Sequence, residues 1–323
     1  MKKLSINSFN RAYQVIGESA RPLEKRILKG YFDNIDNDME ILNELQRFQN
    51  EDGGFGNSLE ADFRLPSSSP MATSIAFEHL VKYDNREEAL DMIKSGIKYL
   101  EKNFIPHRNG WFAVPKDVNN FPHGPWWHYM EKSDMTLIDN NWGNPTSQII
   151  GYLYKYSTFV SNLDVQKLLD YAIDYFVNKN EFQSEHEIYC YIKLYEFLPD
   201  NLKNKIEGKL TFAIQSLVCT KRDEWDKYTP QPLHFVEGPK SHRFGISNRL
   251  LEENLDYLID SIESNGKVNP PWNWHNLKAM IDPHWDWNAY DEEWAGAKQE
   301  WIGVLTLNAL ITLDRFNRIE KPI

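Results

Sequence analysis

The chain has 323 residues, 41% hydrophobic and 14% aromatic, enough to bury a core and too apolar for a disordered chain. Its 47 acidic against 36 basic residues give a net charge of −11, which argues against nucleic acid as a main partner because phosphate binding needs a basic surface. No apolar run approaches a membrane span, the start MKKLSINSFNRAYQ lacks a signal-peptide core, and Cys190 and Cys219 read as buried thiols in a reducing compartment, so a cytoplasmic protein without a membrane span is expected.

Helical periodicity dominates. MEILNELQRFQN puts Ile41, Leu42, Leu45 and Phe48 on one stripe, and MATSIAFEHLVKY continues helical from Met71, with Pro70 suited to a first turn. In chain order, helices are expected at 38–50, 70–83, 86–104, 145–159, 163–179, 185–198, 201–218, 248–264 and 295–316. No strand series is evident. Five of these, 38–50, 86–104, 163–179, 201–218 and 248–264, are charged with one apolar stripe, as outer helices are. The others, 70–83, 145–159, 185–198 and 295–316, carry few charges and many small or aromatic residues, as inner helices do. Alternating outer and inner helices describe a single all-α domain over 1–323, an α/α toroid of helical hairpins. Inner-to-outer links are short, whereas the outer-to-inner loops at 51–69, 105–144, 219–247 and 265–294 are long, and long loops in a compact domain are usually functional. In a toroid these four would gather on one rim.

The end of the 38–50 helix, LQRFQNEDGGFG, has its own logic. The Gln49-Asn50 bend and Gly53-Gly54 stop the helix, and Phe55 tucks in as a plug. The ending recurs weakly at Gly110-Trp111 and at Asn265-Gly266 before Trp272, which indicates degenerate internal repeats. LQRFQNEDGGFG with the following SSSPMATSIAFEHL resembles the repeat of squalene–hopene cyclases and protein prenyltransferase β subunits. The likeness is sharpest over 42–80, extends to 93–115 and 255–275, and elsewhere rests on the helical rhythm. It implies a terpenoid-cyclase-like α/α toroid and an enzyme acting on an isoprenoid. The catalytic signatures of those relatives are missing. There is no Asp-x-Asp-Asp acid (the nearest element, at Asp36, precedes a helix as an N-cap would), no Asp-Asp-x-x-Asp magnesium helix, and no Asp or Cys zinc ligand in PMATSIAF. His186 and Cys190, four apart, would make half a metal site.

The long loops carry clusters instead. The first holds Glu60, Asp62 and Arg64; the second His123, Trp126, Trp127 and His128, then Asn144; the last Trp272, Trp274 and His275, then His284, Asp286, Trp287 and Asp291. Tryptophans can simply pin long loops with their N–H groups paired. Interleaved with His, Asp and Asn they also suit a concave ligand site. Asp286, His284 and Asp62 are the expected acid–base residues, each beside apolar or aromatic neighbours that shift a pKa. Glu60, Arg64, His123, Trp126, Trp127, His128, Asn144, Trp272, Trp274, His275, Trp287 and Asp291 are the expected substrate contacts. No three-ligand metal spacing is present and no cofactor is expected, Mg²⁺ entering only with a diphosphate substrate. The partner is a small molecule, isoprenoid or sugar. Two other readings stand beside the isoprenoid one. One is a carbohydrate-active hydrolase or lyase using Glu60, Asp62, Asp286 or Asp291. The other is a binding protein without catalysis.

Overall fold

In the computed structural model, which describes residues 1–275 and 284–320, the described residues form twelve α-helices, several 3₁₀ turns and isolated bridges but no strand. The helices are α1 (Ile6–Ser19), α2 (Pro22–Phe32), α3 (Asp38–Gln46), α4 (Pro70–Leu80), α5 (Glu87–Lys102) and α6 (Gly143–Lys155), then α7 (Val165–Asn178), α8 (Glu185–Phe197), α9 (Asp200–Leu217), α10 (Pro232–Phe235), α11 (Asn248–Asn265) and α12 (Asp291–Arg315). All nine helices expected from periodicity are present, with ends shifted by a few residues. The pair α1 and α2 was not expected. Its signal was nonetheless in the chain: Phe9, Tyr13 and Ile16 on α1 and Leu23, Ile27, Leu28 and Phe32 on α2 recur at helical spacing and pack into the core. No described helix is long and apolar enough to cross a membrane.

The chain divides into two compact units, one of 1–41, 217–276 and 291–323, the other of 42–216 and 277–290. In the first, α1, α2, α11 and α12 close on a core that includes Leu4, Ile16, Leu28, Leu255, Ile259, Leu310 and Leu313. Its two chain ends pair: Leu4 N donates to Arg318 O at 2.7 Å and Glu320 N to Leu4 O at 3.0 Å. Arg318, 1% exposed, ion-pairs with Glu252 at 2.7 Å and with Asp256, and donates to Lys2 O.

In the second unit α6 packs against α4, α7 and α8. Gly143 precedes a kink at the non-helical Asn144, and a side chain there would lie 2.7 Å from Tyr191; one at Gly151 would lie 3.1 Å from the Leu194 Cα, so both approaches to α8 require glycine. The expected inner helices α4 and α6 bury eight of eleven and eleven of thirteen residues, whereas α5, α7, α9 and α11 bury a single stripe. α12 departs from the inner pattern, with nine of 25 residues buried.

The helix endings share a device. Gly53 takes φ +88°, and a Cβ there would sit 2.5 Å from Ser95 O; Gly54 has an ordinary φ but faces the Tyr99 ring at 2.7 Å, so it is required by close approach rather than by backbone angle. Phe55 is fully buried, and its N–H donates at 3.0 Å to the Thr73 hydroxyl on α4. After α5, Asn109 takes φ +50°, and two residues on the N–H of buried Trp111 donates at 3.2 Å to Thr146 on α6. After α11, Gly266 takes φ +68°, and two residues on Val268 N–H donates at 3.0 Å to Thr306 on α12. All three threonines are fully buried. Each time a left-handed residue turns the chain inward and a hydroxyl of a later helix receives the amide two residues on. In the third copy Val268, not Trp272, holds the position.

Candidate functional site

In the second unit the two long loops are stitched together. Arg64 N donates to Pro122 O at 2.7 Å, Gly124 N to Asp62 O at 2.6 Å, and Phe63 pairs with His123 as a bridge. Asp139 holds the longer loop, accepting from Ala113 N at 2.8 Å, Thr136 N at 3.0 Å and Thr136 Oγ1 at 2.6 Å. Burial raises its pKa, against the pull of those donors.

The stitching buries two histidines edge to edge. The His123 and His128 rings are near-parallel, 19° apart with centroids at 5.2 Å, and His123 Nε2 lies 3.0 Å from His128 Nδ1. Neighbouring bonds set the protons. Asn119 Oδ1 accepts from Tyr129 N at 2.8 Å and its Nδ2 donates to Tyr129 O at 2.8 Å, which fixes the amide's orientation. That same Nδ2 faces His128 Nε2 at 3.5 Å, so Nε2 is an acceptor and Nδ1 carries the proton. His128 Nδ1–H therefore donates to His123 Nε2, and His123 Nδ1–H donates to Phe121 O at 2.6 Å. Burial lowers the His123 pKa to about 4, the bond to Phe121 O opposing and the neighbouring His128 reinforcing the shift. His123 is neutral at pH 7.

Aromatic rings wall the pair. Trp285 lies 4.7 Å from His128; Trp287 lies 5.2 Å from His128 and 5.5 Å from His123; Tyr290 lies 5.5 Å from His123. Trp127, 5% exposed, packs edge-on against Phe63 at 5.2 Å, and its buried Nε1–H meets no acceptor among the described residues.

The other expected residues are distributed as follows. Asp62 and Glu60 are buried in the same loop, where Glu60 Oε1 accepts from Asp62 N at 3.1 Å, and Arg64 is half-buried beside them. His284 and Asp286 are exposed on either side of Trp285, while Trp287 is buried. Trp126 is half-buried under Gly124. Asn144 is buried at the start of α6, accepting from the Cys190 thiol at 3.6 Å. Cys190 thus turns inward while the His186 side chain is 45% exposed, so their i, i+4 spacing does not assemble half a metal site. Trp272, Trp274, His275 and Asp291 belong to the first unit. There His275 Nδ1 lies 3.5 Å from Asp291, Trp274 packs on Trp294 at 5.6 Å, and Trp272 packs on Trp301 at 5.1 Å. Three further tryptophans are loop anchors: Trp111, Trp142 and Trp225 donate to Leu100 O, Arg108 O and Cys219 O at 2.8, 2.9 and 2.8 Å. Among the described residues no three His, Cys, Asp or Glu side chains converge as metal ligands. Sequence reasoning missed Asn119, whose Asn-Asn context is ordinary for a loop, and placed Trp285 and Tyr290 in the last loop's cluster without choosing them as substrate contacts.

Comparison of the chain with protein-family models, curated proteins and solved structures finds no match.

Proposed function

We propose that the chain is an enzyme of the terpenoid-cyclase and prenyltransferase-like kind, a single α/α toroid domain acting on an isoprenoid or other amphipathic small molecule, with the histidine pair as its proton acceptor. One observation carries this reading: a buried, hydrogen-bonded histidine pair, with His123 neutral, walled by three aromatic rings. Ring faces stabilise a developing cation, the form that isoprenoid chemistry takes. Such a cation ends by losing a proton to a base. His128 Nε2 is the accepting atom. Its bond from Asn119 is long, at 3.5 Å, and easily given up to a substrate. His123 is a positioning residue, because by accepting the Nδ1 proton it keeps the Nε2 lone pair of His128 in place. Asp62 is proposed as the acid, and the exposed Asp286 and His284 as the route by which the proton reaches solvent. The threefold Thr-held helix ending supports the repeat resemblance and, with it, the toroid.

The test is product analysis by gas chromatography–mass spectrometry. The purified protein is incubated with squalene, and with farnesyl and geranylgeranyl diphosphate with and without Mg²⁺. We expect a cyclised, eliminated or transferred product from one substrate and a loss of about 10²–10⁴-fold in kcat for His128→Ala. No product and no thermal shift with any prenyl compound would sink the reading, as would full turnover by His128→Ala.

A further inference from the structure

Away from the histidine cluster, α7 carries aromatic residues that its core does not use. The helix buries Leu168, Leu169, Ala172, Ile173 and Phe176. Tyr171, Asp174, Tyr175 and Asn178 recur at helical spacing on an adjoining face, and Tyr171 is 39% exposed. Trp142 packs beside them, 5.3 Å from the Tyr171 ring and 4.8 Å from the Tyr175 ring. This tryptophan is already fixed by its bond to Arg108 O at 2.9 Å, so the shelf exists before any ligand arrives. Lys179 is fixed too: its Nζ lies 2.8 Å from Glu187 and 3.3 Å from the Tyr175 hydroxyl, and Glu187 is anchored by accepting from Gly143 N at 2.9 Å. Tyr171, Asp174, Tyr175, Asn178 and Lys179 line an open groove of about 390 Å³, within the range of small-molecule sites, roughly 300–1,000 Å³.

From this arrangement we infer a saccharide-binding site on α7, distinct from the proposed catalytic cluster. A sugar ring has an apolar C–H face that packs on an aromatic ring and a rim of hydroxyls that both donate and accept. The groove matches both parts, with tyrosine faces beside an accepting carboxylate, an amide and a donating ammonium. Other ligand classes fit worse. A prenyl chain needs an enclosed apolar pocket, and this groove is open. A phosphorylated ligand needs an uncommitted positive charge in the groove, whereas the lining cation, Lys179, is already paired with Glu187 and stands beside Asp174. Because the groove is open, binding of one or two rings of an oligosaccharide is expected rather than enclosure of a monosaccharide.

The experiment is isothermal titration of the full chain with maltohexaose, cellohexaose and chitohexaose, backed by saturation-transfer NMR. One of the three should bind with a dissociation constant of about 1 mM or tighter. Tyr171→Ala and Asp174→Ala should each weaken it by about tenfold or more. Both residues are exposed, so these variants should keep the wild-type circular dichroism. Phe212→Ala, which removes another exposed aromatic residue outside the groove, should bind like the wild type. If none of the hexasaccharides binds at about 10 mM, or if Tyr171→Ala binds as tightly as the wild type, the inference is overturned. A catalytic cluster without prenyl turnover leaves it standing.

Discussion

Replacing Thr73, Thr146 or Thr306 with valine isolates the device that ends three helices. Valine matches threonine in shape and removes only the hydroxyl, so each change leaves one amide, of Phe55, Trp111 or Val268, without its acceptor. The amides of Phe55 and Trp111 are buried with their threonines, where water cannot replace the lost partner; that of Val268 is part-buried, so Thr306→Val should cost least. An orphaned buried N–H costs about 1–3 kcal/mol. Thr146 should be the most sensitive, because its hydroxyl also donates to Trp111 O at 3.3 Å. Thr→Ser at the same positions keeps the hydroxyl and loses one methyl, a cost of about 0.8 kcal/mol. Urea unfolding gives the stabilities, and native-state hydrogen exchange reads the amides directly. Each Val variant should deprotect the amide two residues after its left-handed residue, and each Ser variant should keep it protected. If all three Val variants lie within about 0.5 kcal/mol of wild type with those amides still protected, the hydroxyls are incidental and the argument for a repeated device fails.

The buried histidine sets a pH dependence. His123 has a folded-state pKa of about 4, below its ordinary 6.5, so the unfolded chain binds the extra proton first. Stability is therefore fully present above about pH 6.5 and falls as the pH drops towards 4, by up to about 3 kcal/mol from this group; His123→Phe should flatten that part of a urea-unfolding pH series, and an unchanged slope would refute the assignment. Arg318→Met should destabilise the first unit by only about 1 kcal/mol, since methionine keeps the apolar stem while Glu252 and Asp256, nearly half exposed, can rehydrate; a loss of about 3 kcal/mol or more in urea unfolding, the cost of leaving a buried charge unpaired, would refute this. Gly53→Ala combines a φ of +88° with a contact to Ser95 O and should cost about 2 kcal/mol or more, against a gain of about 0.5–1 kcal/mol for Gly208→Ala inside α9, where nothing lies within 4 Å. Equal melting temperatures for the two would contradict the packing described.

The expected helices were readable because their apolar stripes repeat with the helical period, as in α5 and α7. α1 was equally readable in Phe9, Tyr13 and Ile16, which repeat at the same period, but was not expected. The inward turn after α3 was legible in Gly53-Gly54-Phe55, but not its anchor, because Thr73 lies 18 residues from Phe55; Thr146 and Thr306 lie 35 and 38 residues from their partners. The same limit holds for the candidate site. His123 and His128 stood out as residues, yet their mutual bond and the lowered pKa of His123 arise from two loops being stitched together at Phe63 and Pro122. Proximity of Asp286 to tryptophans in the chain suggested burial, and the side chain lies in solvent. Neighbours in sequence do not determine which way an alternating loop turns its side chains.

The make-up of the first unit carries a consequence for the order of events on the ribosome. α1 and α2 are synthesised well before the helices that cover Ile16 and Leu28, α11 and α12, which end only at residues 265 and 315. At about 5–20 residues per second the wait runs to tens of seconds. During it α1 and α2 have only each other to pack against, and the helices themselves, 14 and 11 residues long, are marginal alone. These two helices are thus made early and secured late, which leaves their apolar sides open to chaperones and proteases in the interval.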